Sequence, residues 1–195
     1  MKKCKAYALT GGIGSGKSLA LKFLSEAGYN TLSSDKIVHE LYEKNSVKRL
    51  LKKLCPTAVS GIINLKLDKA VLGERAFKDS DFHARLTSTV TPLVLKQIKK
   101  RLRSAKRLSF VEVPLLFECG YEHEFDGTVV IFRDKQERIS AVKQRSNLTE
   151  EQVLERMNKQ IDYDSLDFNG CHVIKNDGDM ESFKDAVLSL ARSLE

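Results

Sequence analysis

The sequence of 195 residues has no tryptophan, only three prolines and no long apolar run. A helical membrane span needs roughly 20 consecutive apolar residues, and no stretch approaches that, so a span is not expected. The start, Met1-Lys2-Lys3-Cys4-Lys5, leads into an apolar run too short for a secretory signal. Four cysteines, Cys4, Cys55, Cys119 and Cys171, lie far apart without a C-x-x-C pair. That argues against a disulfide framework or a zinc site and fits free thiols in a reducing cytoplasm. His83, His123 and His172 have no metal-ligand spacing among themselves, and His39 reads as a helix-surface residue. Repeats and low-complexity linkers are also missing, so one domain over residues 1–195, with a small insertion, is the expected organisation.

A net charge of +7 raises the question of nucleic acid. The densest basic run holds Lys96, Lys99, Lys100, Arg101, Arg103, Lys106 and Arg107, and within it Val94, Ile98, Leu102 and Ala105 recur at helical spacing. An amphipathic helix with a solvated basic face accounts for that pattern. No aromatic residues interleave the basic ones, as a base-stacking platform would require. An enzyme handling several phosphates also favours positive charge, so a small-molecule partner is preferred to nucleic acid.

What is present is a phosphate-binding sequence. Residues Gly11-Gly12-Ile13-Gly14-Ser15-Gly16-Lys17-Ser18 fit G-x-x-x-x-G-K-[ST]. They follow the apolar run Ala6 to Thr10 and precede a stretch with Leu19, Ala20, Phe23, Leu24 and Ala27 on one helical face. Strand, glycine-rich turn and helix are the context in which the pattern carries meaning. Glycines let backbone N–H groups converge on phosphate oxygens, and the helix starting near Lys17 adds the positive end of its dipole. Lys17 can reach the β- and γ-phosphates, Ser18 can ligate Mg²⁺, and the Leu19 N–H can reach the α-phosphate. The expectation is a binding site for a nucleoside triphosphate.

Further along, strand and helix patterns alternate. Strands are expected at Tyr29–Leu32, Leu108–Val113, Thr128–Phe132 and His172–Lys175, with helices at Asp35–Tyr42, Lys135–Arg145 and Glu150–Ile161. Residues 47–107 read as mostly helical, broken near Pro56–Asn64 and again at Pro92. Thr149 and Gln152 make a capping box, and a last helix should turn Met180, Phe183, Val187, Leu190 and Leu194 inward. Alternation of this kind predicts an α/β fold with a mostly parallel sheet covered on both faces, and the expected architecture has a parallel five-stranded core.

The motif alone does not separate a kinase from a switch GTPase or a nucleotide-dependent binding module. Asn158-Lys159-Gln160-Ile161 lacks the Asp of a guanine-reading signature, and Asp167 to Gly170 lies too far downstream for a γ-phosphate switch. A small kinase instead needs an acidic residue after the second strand, a helical insertion and an arginine-bearing lid. Asp35, in Leu32-Ser33-Ser34-Asp35, is placed either to accept the proton of an acceptor hydroxyl or to cap the next helix. Arg138 and Arg145 are two helical turns apart, with Arg156 on the following helix. They are either lid contacts to phosphates or exposed arginines paired with Glu137, Glu150 or Glu155.

At these residues the chain resembles the dephospho-CoA kinase family. Leu9 to Ser18 is similar to that family's phosphate-binding loop, and Ser34-Asp35-Lys36-Ile37-Val38-His39-Glu40-Leu41 to its second motif. Gly61-Ile62-Ile63-Asn64 through Leu72 and Phe77 resembles its middle segment, and Pro114-Leu115-Leu116-Phe117-Glu118 is the most family-specific piece. Gln136-x-Arg138 to Arg145, then Arg156-Met157 with Gln160, is similar to its lid, and Asn176-x-Gly178 to the loop bordering the adenine. The resemblance implies a three-layer P-loop kinase fold with an acceptor-binding helical region over residues 35–107 and a lid over 138–161. It implies transfer of the ATP γ-phosphate, with Mg²⁺, to the ribose 3′-hydroxyl of 3′-dephospho-CoA. Asp35, Lys17, Arg138 and Arg145 are then the catalytic set. Gly12, Ile13, Gly14, Ser15, Gly16, Lys17, Ser18, Leu19, Asn176 and Gly178 border the nucleotide, and Ser18 with Glu112 faces the metal. The chain departs from the family in having Leu19 for Thr, Glu112 for Asp, Thr91 for His before Pro92, and Lys66 for Arg.

Overall fold

The chain in the computed structural model, which describes residues 4–195, runs in order through fifteen helices and strands. These are β1 (Ala6–Thr10), α1 (Lys17–Glu26), β2 (Asn30–Ser33), α2 (Ser34–Tyr42), α3 (Asn45–Leu54), β3 (Val59–Ser60), β4 (Lys66–Leu67), α4 (Lys69–Lys78), α5 (Ser80–Leu102), β5 (Ser109–Glu112), β6 (Gly127–Phe132), α6 (Lys135–Ser146), α7 (Glu150–Met157), β7 (His172–Lys175) and α8 (Met180–Ser193). Met1 to Lys3, part of the basic start, lie outside the described residues. The chain divides into two units, one of residues up to Ser33 with Leu102–Glu195, the other of Ser34–Arg101.

The first unit is built on a five-stranded sheet in the order β2-β5-β1-β6-β7, every pair parallel. Strands of such a sheet read as continuous apolar runs rather than alternating ones. β1 and β5 accordingly bury every residue. Leu9, Phe110, Val129 and Ile131 of the strands pack with Phe23 and Leu24 of α1 and with Phe183, Val187, Ala191 and Leu194 of the C-terminal helix. Phe23 and Phe183 meet edge to face with ring centroids 6.1 Å apart.

Two apolar positions depart from the periodic reading. Met180 is 66% exposed because it opens α8, where Asp179 caps by accepting from Ser182 N and Phe183 is the first residue to reach the core. Ala27 is exposed because α1 has already ended there, and the chain turns through Gly28 into β2.

In the second unit, α3 sets buried Val47 and Leu51 against exposed Arg49 and Lys53. Ile37 and Leu41 of α2, Leu72 of α4, and Phe82, Val90, Val94 and Ile98 of α5 are likewise buried. The expected break at Pro56–Asn64 is a 3₁₀ turn, Pro56–Ala58, followed by the antiparallel hairpin β3–β4, which the sequence reading did not resolve. Arg75 lies 4.6 Å over the Phe82 ring and reaches Cys55 Sγ at 3.7 Å, which ties α4, α5 and the end of α3 together. Arg101 and Glu40 form an ion pair.

The expected break at Pro92 is not observed, since α5 runs unbroken from Ser80 to Leu102. Pro92 is exposed, so the backbone carbonyl it leaves without an N–H partner, one turn earlier at exposed Ser88, faces solvent. Val90, Val94 and Ile98, buried before and after it, hold the helix on course. The helix does stop before the end of the basic run, with Arg103 and Ser104 in a turn.

Phe183 is 2% exposed and joins α8 to both α1 and the sheet. Phe183→Ala is expected to cost about 3–5 kcal/mol, through lost transfer energy and the cavity left behind. Urea unfolding followed by circular dichroism measures it, and a loss under about 1 kcal/mol would mean that α8 does not depend on this anchor.

Candidate active site

β1 lies between β5 and β6, so connections from its C-terminal end diverge and leave a crevice at that edge of the sheet. Gly11–Gly16 leave β1 into this crevice and α1 begins at Lys17, with no acidic residue in its first turn to compete with a bound anion. Leu9 pairs with Glu112 across the ladder, and Val113 N donates to Leu9 O at 2.9 Å. That register carries Glu112, the buried last residue of β5, beside the loop, where Ser18 Oγ donates to its Oε1 at 2.8 Å. The extra methylene of Glu over Asp thus spans the gap to Ser18. Lys17 Nζ donates to Gly11 O at 2.7 Å and Gly12 O at 2.9 Å, which folds the lysine over the loop.

Neighbours come close to the loop where it has no side chains. A Cβ at Gly12 would stand 2.5 Å from Arg138 Nη1, and one at Gly16, whose φ is +103°, would stand 2.4 Å from Asn176 Nδ2. Either substitution puts an atom where a polar group already sits. Asn176 follows β7, is buried, and donates from Nδ2 to Ser15 O at 2.8 Å, while its own N–H donates to Phe132 O. Ser15 Oγ is buried with no hydrogen-bond partner among the described residues.

A further support comes from the segment after α7. That helix ends at Met157, not at Ile161 as its periodicity suggested, and the Thr149–Gln152 capping box opens it as expected. Beyond it, Gln160 Oε1 accepts from Ile13 N at 2.7 Å, and Ile161 N donates to Glu118 Oε1 at 3.1 Å. Tyr163 OH and Thr10 Oγ1 share a hydrogen bond of 3.1 Å. Asp164 Oδ2 accepts from Arg138 Nη2 at 2.5 Å. The helix stops where its residues turn to bind the loop.

The structure therefore gathers Gly12 to Leu19, Glu112, Arg138 and Asn176 at one sheet edge. It does not treat Arg138 and Arg145 alike. Arg138 is buried and paired with Asp164, against the alternative of an exposed arginine, whereas Arg145 is exposed in the last turn of α6. Of the glutamates named as partners, Glu137 pairs with Arg133 and Glu150 with Lys143. Gly178 is exposed in the turn before α8. Asp35 is exposed in the first turn of α2, in the second unit. Tyr163 and Asp164 escaped the sequence reading, which has Thr10 only as part of the loop stretch. Tyr163 and Asp164 lie in a polar turn that carries no motif.

A parallel sheet with this loop at its C-terminal edge, and a helical hairpin α6–α7 beside it, defines an α/β kinase of the P-loop class. A family model described as dephospho-CoA kinase matches residues 6–182. A dephospho-CoA kinase of Streptococcus pyogenes is 30% identical over 192 residues, covering 94% of this chain and 96% of the relative. One from Thermus thermophilus is 33% identical over 187 residues, covering 95% and 90%. A crystal structure of a Thermus thermophilus protein superposes with a TM-score of 0.86 at 31% identity, covering 100% of both chains. The chain belongs to the dephospho-CoA kinase family.

Burial pushes the Tyr163 hydroxyl up to about 12 from an ordinary value of 10.0; the Glu118 carboxylate acts the same way and the Thr10 hydrogen bond opposes it. A raised value in the folded state means the neutral phenol favours folding. Its contribution is complete below pH 10 and is lost as pH rises through about 12. Burial also raises Tyr29 and Tyr42, so absorbance titration at ~295 nm should find Tyr163 as the last tyrosine to ionise, and Tyr163→Phe should remove that last step. A last step that survives the substitution would assign it to another residue.

Proposed function

We propose that this chain transfers the γ-phosphate of ATP to the 3′-hydroxyl of the ribose of 3′-dephospho-CoA, giving CoA and ADP. The observation that carries the reading is the buried Arg138, held against the first turn of a complete phosphate-binding loop within a chain of this family. The loop N–H groups of Gly12, Ile13, Gly14, Ser15, Gly16, Lys17, Ser18 and Leu19 are the donors for the phosphates. The partnerless Ser15 Oγ is a further donor within the same loop. Lys17 exchanges the Gly11 and Gly12 carbonyls for β- and γ-phosphate oxygens. Asn176 holds the loop from the side assigned to the adenine, with Gly178 beyond it in the following turn. Arg138 meets charge that spreads over the phosphoryl oxygens during transfer, and Arg145 joins it when the α6–α7 hairpin acts as a lid.

The residues present suit a magnesium ion carried with the nucleotide. Ser18 Oγ and the buried Glu112 carboxylate, 2.8 Å apart, are hard oxygen donors, and the phosphates and water complete such a shell. Among the described residues no group of three or more His, Cys, Asp or Glu could hold an ion unaided, in keeping with a metal that arrives on ATP. Held by Ser18 and Glu112, such an ion would supply neutralisation of phosphate charge. Residues 35–107 are the acceptor-binding region in this reading. Asp35 orients the acceptor hydroxyl and takes its proton as the oxygen attacks phosphorus in line. Positioning and charge neutralisation supply most of the acceleration. Four free thiols support a cytoplasmic location.

Release of ADP from MgATP, measured with and without 3′-dephospho-CoA beside AMP, CMP and shikimate, tests the assignment. Turnover confined to dephospho-CoA, with CoA as product, is expected. Turnover on another acceptor would keep the kinase and discard the substrate, and none at all would discard both. Asp35→Asn is expected to lower kcat roughly 10²- to 10⁴-fold. A loss smaller than about tenfold would leave Asp35 as a first-turn acid that complements the helix dipole of α2, and not a base.

A further inference from the structure

Of the links between the segment following α7 and the loop, the one to Arg138 joins a residue of the proposed site to one with no role so far. The Arg138 side chain is 5% exposed and the Asp164 side chain 32%. Nε of Arg138 donates to Arg133 O at 2.9 Å, and Nη2 donates to Asp164 Oδ2 at 2.5 Å. Nη1 is the nitrogen that lies against Gly12. A guanidinium is planar, so two hydrogen bonds on different nitrogens fix its plane and aim its third nitrogen. The carbonyl of Arg133 cannot do this alone, since rotation about the Nε bond line would swing Nη1 away from the loop.

We propose that Asp164 is a positioning residue for phosphoryl transfer: it fixes the plane of Arg138 and holds Nη1 over the phosphate-binding loop. The inference rests on the reading of Arg138 as a phosphate contact. A carboxylate suits the task better than an amide. It compensates a buried positive charge that is costly to leave unpaired, and its bond to the guanidinium is charge-assisted. It also engages Nη2 and not Nη1, so it anchors the arginine without occupying the nitrogen turned to the loop. An acid gripping both Nη atoms would compete with the phosphate.

The test is a double-mutant cycle on the full chain with MgATP and dephospho-CoA, using Asp164→Asn, Arg138→Ala and the pair, with thermal unfolding of each. Asp164→Asn is expected to lower kcat about 10- to 100-fold while KM for MgATP changes less than about threefold, the mark of an interaction used in the transition state. In the Arg138→Ala background the same change should have no further effect on kcat. Equal losses in both backgrounds, or an unchanged kcat in the single variant, would overturn the inference. An Arg138→Ala enzyme with unaltered kcat would remove Arg138 from the reaction, a failure of the earlier reading that this cycle separates from a failure of Asp164 alone. Should Asp164→Asn not fold, Asp164→Glu keeps the charge and displaces the guanidinium. A fall in kcat with the unfolding temperature held supports positioning, and an unchanged kcat overturns it.

Discussion

Bare backbone at Gly12 and Gly16 is the constraint on which the site depends. A phosphate-binding loop must offer its N–H groups to a ligand on one side, yet it has to be held in shape from the other. Here Asn176 holds it by a hydrogen bond to Ser15 O, and Arg138 and Asn176 occupy the space that side chains at Gly12 and Gly16 would fill. The glycines therefore serve two partners, the ligand and the protein's own polar groups.

The parallel sheet turns this local arrangement into a site. Because all five strands run the same way, the ends of β1, β5, β6 and β7 deliver their following residues to one edge. The loop, Glu112, the start of α6 and Asn176 arrive there without any long connection being needed to bring them together. The hydrophobic core under β1, shared with α1 and α8, fixes the strand register. The register in turn sets Leu9 opposite Glu112 and so brings Ser18 within reach of a carboxylate. Core packing and site geometry are thus linked through single ladder positions.

Much of this was legible in the residues. The loop carries a pattern with a direct physical meaning, and the strands of the sheet, of which β1 and β6 are the most apolar, have bounds within about a residue of those read from sequence. Thr149 and Gln152 signal their cap locally. The failures share a cause, which is that tertiary contacts override a local rule. Pro92 should break a helix, but buried Val90 and Val94 keep it whole. The periodicity after Glu150 continues past Met157, but Gln160 and Ile161 find better partners in Ile13 and Glu118. Arg138 and Arg145 are equivalent on a helical wheel, yet only the first has a neighbour that buries it. Asp164 lies 26 residues from Arg138, a separation at which no periodic pattern operates.

The bond from Asn176 Nδ2 to Ser15 O joins positions 161 residues apart, and β1 gains its hydrogen-bonded neighbours only from strands that follow residue 108. The loop thus takes its shape from segments that lie far downstream of it in the chain. Non-local pairing of this kind defers the reward for closing the chain until most of it exists, which slows folding. A nascent chain stalled before β7 would carry the whole phosphate-binding motif without the side chain that braces it. Bracing of the loop therefore depends on the last strand of the sheet, and a ligand that binds only the folded loop would stabilise that fold by mass action.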